Sequence, residues 1–242
     1  SREIYASREN GSYLPGFTLP DEIQVADLEQ ASLEDVSAVF LASPSYALKY
    51  WLDRIRATGL GNRSRLFISL AKGLDLNTLE TPCQMVADSL PGSLVASLSG
   101  PTFAREVAEG KPAAMTLGCE SDDPIVGEIQ QALSGPSMRI YLSHDLQGVE
   151  LGGCLKNVYA IAAGCCQELA LGDNALAALL TRALAEMVRV GVTLGARMET
   201  FYGLSGFGDL VATCHGEWSR NRTFGEAIAR GKSAMEIISS QR

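Results

Sequence analysis

The chain is organised around residues 148–174, which read Gly-Val-Glu-Leu-Gly-Gly-Cys-Leu-Lys-Asn-Val-Tyr-Ala-Ile-Ala-Ala-Gly-Cys-Cys-Gln-Glu-Leu-Ala-Leu-Gly-Asp-Asn. Apolar residues recur here at three- and four-residue steps, which predicts a buried helix. Lys156 and Asn157 lie in its middle, and a buried lysine needs a partner or a lowered pKa. The alternative is a lysine that snorkels out of a core helix. Glycines are poor helix formers, so those in this helix predict a close approach by another backbone or by a ligand. They are Gly148, Gly152, Gly153 and Gly164.

Composition places the chain among ordinary globular proteins. It has 242 residues, 46% hydrophobic and 20% charged, which is enough for one large domain or two modest ones. The net charge of −8 and the absence of a Lys/Arg block argue against nucleic-acid binding. No apolar run reaches transmembrane length and no signal-peptide pattern occurs, so we expect a cytoplasmic protein without membrane insertion. Six scattered cysteines and two histidines predict reduced thiols and no metal site.

The first half of the chain repeats a strand–helix pattern. Buried strands are predicted at Val36–Ala42, Arg65–Ala71 and Leu94–Leu98, with their starts about 29 residues apart. Helical stretches lie between them at Ala47–Ala57 and Leu79–Leu90. This spacing is typical of βαβ units, whose parallel strands are apolar on both faces.

Residues able to bind an anion follow these strands. In parallel sheets, ligands bind outside the carboxyl ends of the strands, which here carry Pro44, Lys72 and Gly100-Pro101-Thr102. Lys72 is either an anion contact or a solvated loop lysine. The Gly-Pro-Thr segment is either a turn or the start of a helix at Phe103–Ala108, whose amides would face an anion.

A change in composition predicts a second domain. Two more strands, Ala113–Cys119 and Met138–Leu142, flank a helix at Pro124–Leu133. After them, β-branched runs give way to Ala, Leu and Gly at helical spacing. We therefore expect an α/β Rossmann-like domain with a parallel sheet at residues 1–146 and an all-α domain at residues 147–242.

The second half contains two further candidate features. After a helix at Ala175–Leu194, with Asp173 as its N-cap, three glycines within residues 203–208 predict a tight approach to a helix that begins near Asp209. Residues 219–221, Ser-Arg-Asn, form either a phosphate clamp or an ordinary helix cap. No strand is followed by the Gly-x-Gly-x-x-Gly turn that normally opens a dinucleotide-binding domain.

Seven motifs in order make the chain similar to the NAD(P)-dependent glycerol-3-phosphate dehydrogenases of the bacterial type. They are Asn10-Gly-Ser-Tyr-Leu-Pro-Gly16, Ala71-Lys-Gly-Leu74, Ser99-Gly-Pro-Thr-Phe-Ala-Arg-Glu-Val-Ala108, Gly148-Val-Glu-Leu-Gly-Gly-Cys-Leu-Lys-Asn-Val158, Leu171-Gly-Asp-Asn174, Thr200-Phe-Tyr-Gly-Leu-Ser-Gly-Phe-Gly-Asp-Leu210 and Ser219-Arg-Asn221. The resemblance implies reduction of dihydroxyacetone phosphate to sn-glycerol 3-phosphate with NADH or NADPH, for phospholipid synthesis. It implies an active site between a Rossmann-like and a helical domain, and we expect a homodimer.

The resemblance also assigns roles to residues. Lys156 matches the general acid/base, and Lys72 matches the lysine that reaches both cofactor and substrate. Further substrate contacts are implied at Gly100, Thr102, Asp209, Ser219, Arg220 and Asn221. Cofactor contacts are implied at Ala104 and Arg220, and weaker matches occur at Asn157 and Thr213.

The chain also departs from the family pattern. Family members carry the glycine fingerprint upstream of the Asn-x-x-Tyr-Leu-Pro-Gly motif, and helices that follow the position of Arg242. We therefore expect the middle part of a longer enzyme, which by itself would bind a dinucleotide poorly. One alternative is a non-catalytic fragment or scaffold that has lost the dinucleotide site. Another is a related lysine-dependent dehydrogenase acting on sugar acids, which would not need Arg220 as a phosphate clamp.

Overall fold

The computed structural model describes residues 2–31, 36–59 and 66–240. Within these residues one sheet contains β1 Ala38–Leu41, β2 Leu66–Ser69, β3 Leu94–Ser99, β4 Ala113–Gly118 and β5 Met138–Ser143. The helices are α1 Arg2–Ser7, α2 Ser45–Thr58, α3 Pro82–Ser89, α4 Ala104–Ala108, α5 Pro124–Leu133, α6 Leu146–Glu168, α7 Asp173–Thr193, α8 Met198–Phe201, α9 Asp209–His215, α10 Arg220–Ala229 and α11 Ala234–Ser240. A π-helix spans Leu204–Gly208. An α/β sheet region is therefore followed by helices alone, as the sequence predicted. The predicted strand start Arg65 and the final residues 241–242 lie outside the described residues.

The sheet is parallel except at one pair. Strands β1, β2 and β3 run parallel, with Ala38, Leu66 and Leu94 in register, and β4 runs parallel to β5. Strand β4 is antiparallel to β3, with Ser97 opposite Gly118. The all-parallel prediction is wrong at this pair. The connection from β3 contains only the five-residue α4, and β4 begins at the same end of the sheet at which β3 ends.

Helices cover both faces of the sheet. Successive side chains of a strand point to opposite faces, so Phe67 packs with α2 and α3 while Ile68 packs with α5. Both side chains are fully buried. This two-sided burial explains why β2 has no polar alternation in its sequence. Within the described residues, no helix is long and apolar enough to cross a membrane.

Several predicted helix starts differ from the observed ones, and three of them have a local explanation. Asp173 was predicted as an N-cap but is the first residue of α7, where its charge suits the helix dipole, and Gly172 precedes it with a φ of +86°. The helix predicted from Leu79 begins at Pro82, because Thr81 forms a capping box there. The helix predicted from residue 103 begins at residue 104.

Helix α6 is two residues longer at each end than its predicted core of residues 148–166. Asp145 caps it, accepting a hydrogen bond from the Gly148 amide at 3.0 Å. The other carboxylate oxygen of Asp145 accepts from the Arg197 amide at 2.9 Å and from the Thr200 hydroxyl at 2.5 Å. One carboxylate thus joins the start of α6 to α8.

Candidate active site

Two lysines meet at one buried carboxylate. The ammonium of Lys156 donates to Oδ1 of Asp209 and, at 2.7 Å, to the hydroxyl of Thr213. The ammonium of Lys72 donates to Oδ2 of Asp209 at 2.6 Å. Lys156 is only 7% exposed and Asp209 only 2%. Lys156 is therefore held by partners inside the protein, and the snorkelling alternative is wrong.

The environment makes Lys156 a better proton donor and acceptor near neutral pH. Burial, followed by the positive charge of Lys72, lowers the pKa of Lys156 to about 8, against the opposing effect of Asp209. This confirms the expected shift toward neutrality. A group whose pKa lies near the working pH can transfer a proton in either direction.

The paired glycines of α6 bring Lys156 to this position. A Cβ on Gly152 would lie 2.5 Å from the carbonyl oxygen of Ser205, in the π-helix. A Cβ on Gly153 would lie 2.9 Å from the hydroxyl of Ser99, at the end of β3. Helix α6 therefore passes tightly between the π-helix and the sheet. Lys156 follows one turn later, where these neighbours supply Asp209 and Lys72.

The π-helix delivers Asp209 to the same point. It ends at Gly208, immediately before Asp209 opens α9. A Cβ on Gly206 would overlap the backbone of Phe201, so only glycine allows the chain to fold back this closely. The tight approach predicted from the glycine trio is confirmed. Single π-turns of this kind occur often at functional sites.

The ends of β2 and β3 converge on the lysine pair. Besides Asp209, Lys72 donates to the carbonyl of Gly100 at 3.2 Å, and the Thr102 hydroxyl donates to the same carbonyl at 3.3 Å. Gly100 has a φ of +156°, and a Cβ there would lie 2.9 Å from the carbonyl oxygen of Ala114. A side chain at this position would force the strand end away from β4. The residues predicted from the strand ends thus lie together.

Helix α10 presents its first turn to the site. Ser219 caps this helix, accepting from the Arg222 amide at 3.2 Å, so the cap alternative applies to its side-chain oxygen. The side-chain amide of Asn221 donates to Oδ1 of Asn157 at 2.8 Å. Asn157 in turn donates to the backbone carbonyl of Lys72 at 3.4 Å. A chain of amides therefore links α10, α6 and the end of β2.

A cleft of about 740 Å³ opens outside the carboxyl ends of β1 and β3. Ala104 and Arg220 lie on its wall, among apolar and aromatic side chains that would accept a flat ring. At the end of β1, the buried hydroxyl of Ser43 has no hydrogen-bond partner among the described residues. These features fit part of a dinucleotide. Strand β1 leads into Ala42-Ser43-Pro44, and the glycine fingerprint follows none of the described strands.

Two buried acids that join neighbouring helices were not singled out from the sequence. Glu150, 5% exposed, accepts from the Cys83 amide at 2.9 Å and caps α3, and its burial raises the pKa of this carboxyl. Asp145 was assigned to a connector. An isolated acid in an apolar helix and an Asp three residues before a helical glycine were the signals available.

The fold and the site together define a class of protein. A Rossmann-like sheet, a cleft at its carboxyl edge and a buried lysine from a helical region are features of a dinucleotide-dependent oxidoreductase that transfers a proton with the hydride.

Comparison with known proteins narrows this class to one family. The family model described as NAD-dependent glycerol-3-phosphate dehydrogenase N-terminus matches residues 1–124, and the corresponding C-terminus model matches residues 145–242. The chain belongs to the NAD-dependent glycerol-3-phosphate dehydrogenase family. It is an oxidoreductase of that type.

Individual relatives match nearly all of this chain and about 70% of their own length. The glycerol-3-phosphate dehydrogenase (NAD(P)+) of Nitrosomonas eutropha is 45% identical over 237 residues, covering 98% of this chain and 71% of the relative. That of Thiobacillus denitrificans is 46% identical, covering 96% and 70%. The crystal structure of glycerol-3-phosphate dehydrogenase from Coxiella burnetii superposes with a TM-score of 0.90 at 36% identity, covering 99% and 72%.

Proposed function

We propose that the protein reduces dihydroxyacetone phosphate to sn-glycerol 3-phosphate with NADH or NADPH, and so supplies the backbone of phospholipids. The observation that carries this proposal is the buried group formed by Lys156, Asp209 and Lys72, which the carboxyl ends of β2 and β3 approach. Family membership supports the same reaction.

Lys156 is the general acid of the proposed reaction. Hydride transfer to the carbonyl carbon is the chemistry that bound NADH or NADPH supplies. The carbonyl oxygen then needs a proton, which the ammonium of Lys156 donates. Asp209 and Thr213 hold that ammonium in place, and the lowered pKa makes its proton easier to release. In the reverse reaction neutral Lys156 accepts the proton from the alcohol.

Cationic groups at the cleft bind the substrate phosphate. The phosphate carries close to two negative charges at neutral pH, in a protein that is otherwise acidic. Arg220 lies exposed on the cleft wall at the first turn of α10. There its guanidinium can form two parallel hydrogen bonds to phosphate oxygens. Lys72 contributes charge from the strand end. Thr102, Ser219 and Asn221 supply neutral hydrogen bonds, and the backbone at Gly100 leaves room for the ligand.

Four further expectations belong to the same proposal. Residues 1–146 would bind the cofactor, with Ala104 as a contact, and residues 147–242 would provide the catalytic lysine. A homodimer and a cytoplasmic location stay predictions.

The test is the oxidation of NADH and of NADPH by the purified gene product, with and without dihydroxyacetone phosphate. Substrate-dependent oxidation that disappears in Lys156→Ala is the expected result. Cofactor binding without any oxidation by dihydroxyacetone phosphate would contradict the proposal. A sugar-acid substrate turned over in its place would favour the alternative dehydrogenase.

A further inference from the structure

Helices α6 and α10 touch backbone to backbone at one crossing. A Cβ on Gly164 of α6 would overlap the carbonyl oxygen of Arg222, and a Cβ on Gly225 of α10 would overlap that of Ile161. The thiol of Cys165 donates to the carbonyl oxygen of Gly225 at 3.2 Å. Each helix thus uses a glycine at the point where the other helix presents its backbone. We call this contact the Gly164–Gly225 crossing.

On both helices the crossing follows residues of the candidate site. On α6, Lys156 lies eight residues before Gly164, and on α10, Arg220 lies five residues before Gly225. The helices meet a second time at the hydrogen bond from Asn221 to Asn157. The crossing and this hydrogen bond fix α10 against α6 at two points. Together they determine how far Arg220 lies from Lys156.

We propose that Gly164 and Gly225 are positioning residues for the phosphate end of the substrate. They act through Arg220 and Asn221, because the crossing brings the first turn of α10 close enough for phosphate and carbonyl to be held at once. This inference rests on the proposed function, in which Arg220 binds the phosphate and Lys156 protonates the carbonyl oxygen. Any side chain at either glycine moves α10 outward and separates the two binding ends.

The test compares two substrates that differ only in the phosphate. In Gly225→Ala, kcat/KM for dihydroxyacetone phosphate is expected to fall by about tenfold or more, mainly through KM, because small misplacements of a binding group are costly. The kcat/KM for dihydroxyacetone, which lacks the phosphate, is expected to stay within about twofold, since Lys156 has not moved. The matched control is Gly127→Ala in α5, where a Cβ meets no atom within 4 Å.

The outcomes separate this inference from the proposed function. If kcat/KM fell equally for both substrates in Gly225→Ala, the crossing would be merely structural. If kcat/KM fell for neither substrate, the crossing would not position the phosphate site. Arg220→Ala must first reduce the preference for the phosphorylated substrate; if it does not, the proposed phosphate site itself is wrong. Should Gly225→Ala fail to fold, Cys165→Leu adds bulk beside the same contact, and a smaller loss confined to the phosphorylated substrate is then required.

Discussion

Lys156 and Asp209 form an ion pair that is almost closed to solvent, and Asp209 uses its second oxygen to bind Lys72. One carboxylate is therefore shared by two ammonium groups. Because burial costs an ammonium more than one shared carboxylate returns, the pKa of Lys156 lies below its ordinary value. A net positive charge remains in this group, which suits an anionic substrate.

Replacing Lys156 by alanine is expected to lower turnover by a factor of about 10²–10⁴, the range that a general acid contributes. The fold should stay intact, because Asp209 keeps Lys72 as its partner. Steady-state reduction of dihydroxyacetone phosphate and circular dichroism measure the two effects. Lys49→Ala, at an exposed lysine of α2, is the control and should leave activity unchanged. A fully active Lys156→Ala enzyme would disprove the assignment.

The two reaction directions are expected to depend oppositely on pH. Reduction requires protonated Lys156, so kcat/KM should fall as pH rises through about 8. Oxidation of sn-glycerol 3-phosphate requires the neutral amine, so its kcat/KM should rise over the same interval. Profiles of kcat/KM in both directions measure this.

Asp209→Asn tests whether Lys156 is the group that titrates in these pH profiles. The Asp209 charge raises the pKa of Lys156, so removing it lowers that pKa further and moves the alkaline limb of the reduction profile to lower pH. A limb that stays in place would mean that another group titrates.

Replacing Arg220 by alanine is expected to raise KM for dihydroxyacetone phosphate by about 10- to 100-fold, as for the loss of a charge-assisted hydrogen bond. Michaelis–Menten kinetics with the phosphorylated substrate measure the change. Arg182→Ala, an exposed arginine of α7, should leave KM unaltered. An unchanged KM in Arg220→Ala would exclude the clamp.

Replacing Asp145 by alanine is expected to lower the free energy of unfolding by about 2–4 kcal/mol, because it removes a helix cap and leaves buried donors unpaired. These donors are the amides of Gly148 and Arg197 and the hydroxyl of Thr200. Urea denaturation measures the change. Asp122→Ala, at a side chain that is 93% exposed, is the control, and a similar loss in both variants would refute the assignment.

Periodicity and motif order predicted much of this molecule. Two-sided apolar runs identified β2 and β3, and the lysine in an apolar helix identified the centre of the site. The antiparallel direction of β4 was not predicted, because it depends on the end of the sheet at which the connection from β3 returns. Pairings such as that of Lys72 with Asp209 join residues 137 positions apart, which no local pattern reveals. Here only the resemblance placed them in one site.

The position of Lys156 within its helix has a consequence for hydrogen exchange. Lys156 lies ten residues after the first residue of α6 and twelve before the last, and both Lys156 and Ala160 are buried there. Helix ends open by local fraying, whereas the middle of a buried helix exchanges its amide protons only through larger unfolding events. The amide of Lys156 should therefore be among the slowest to exchange. The proposed proton donor is thus expected to lie in a part of the molecule that opens late.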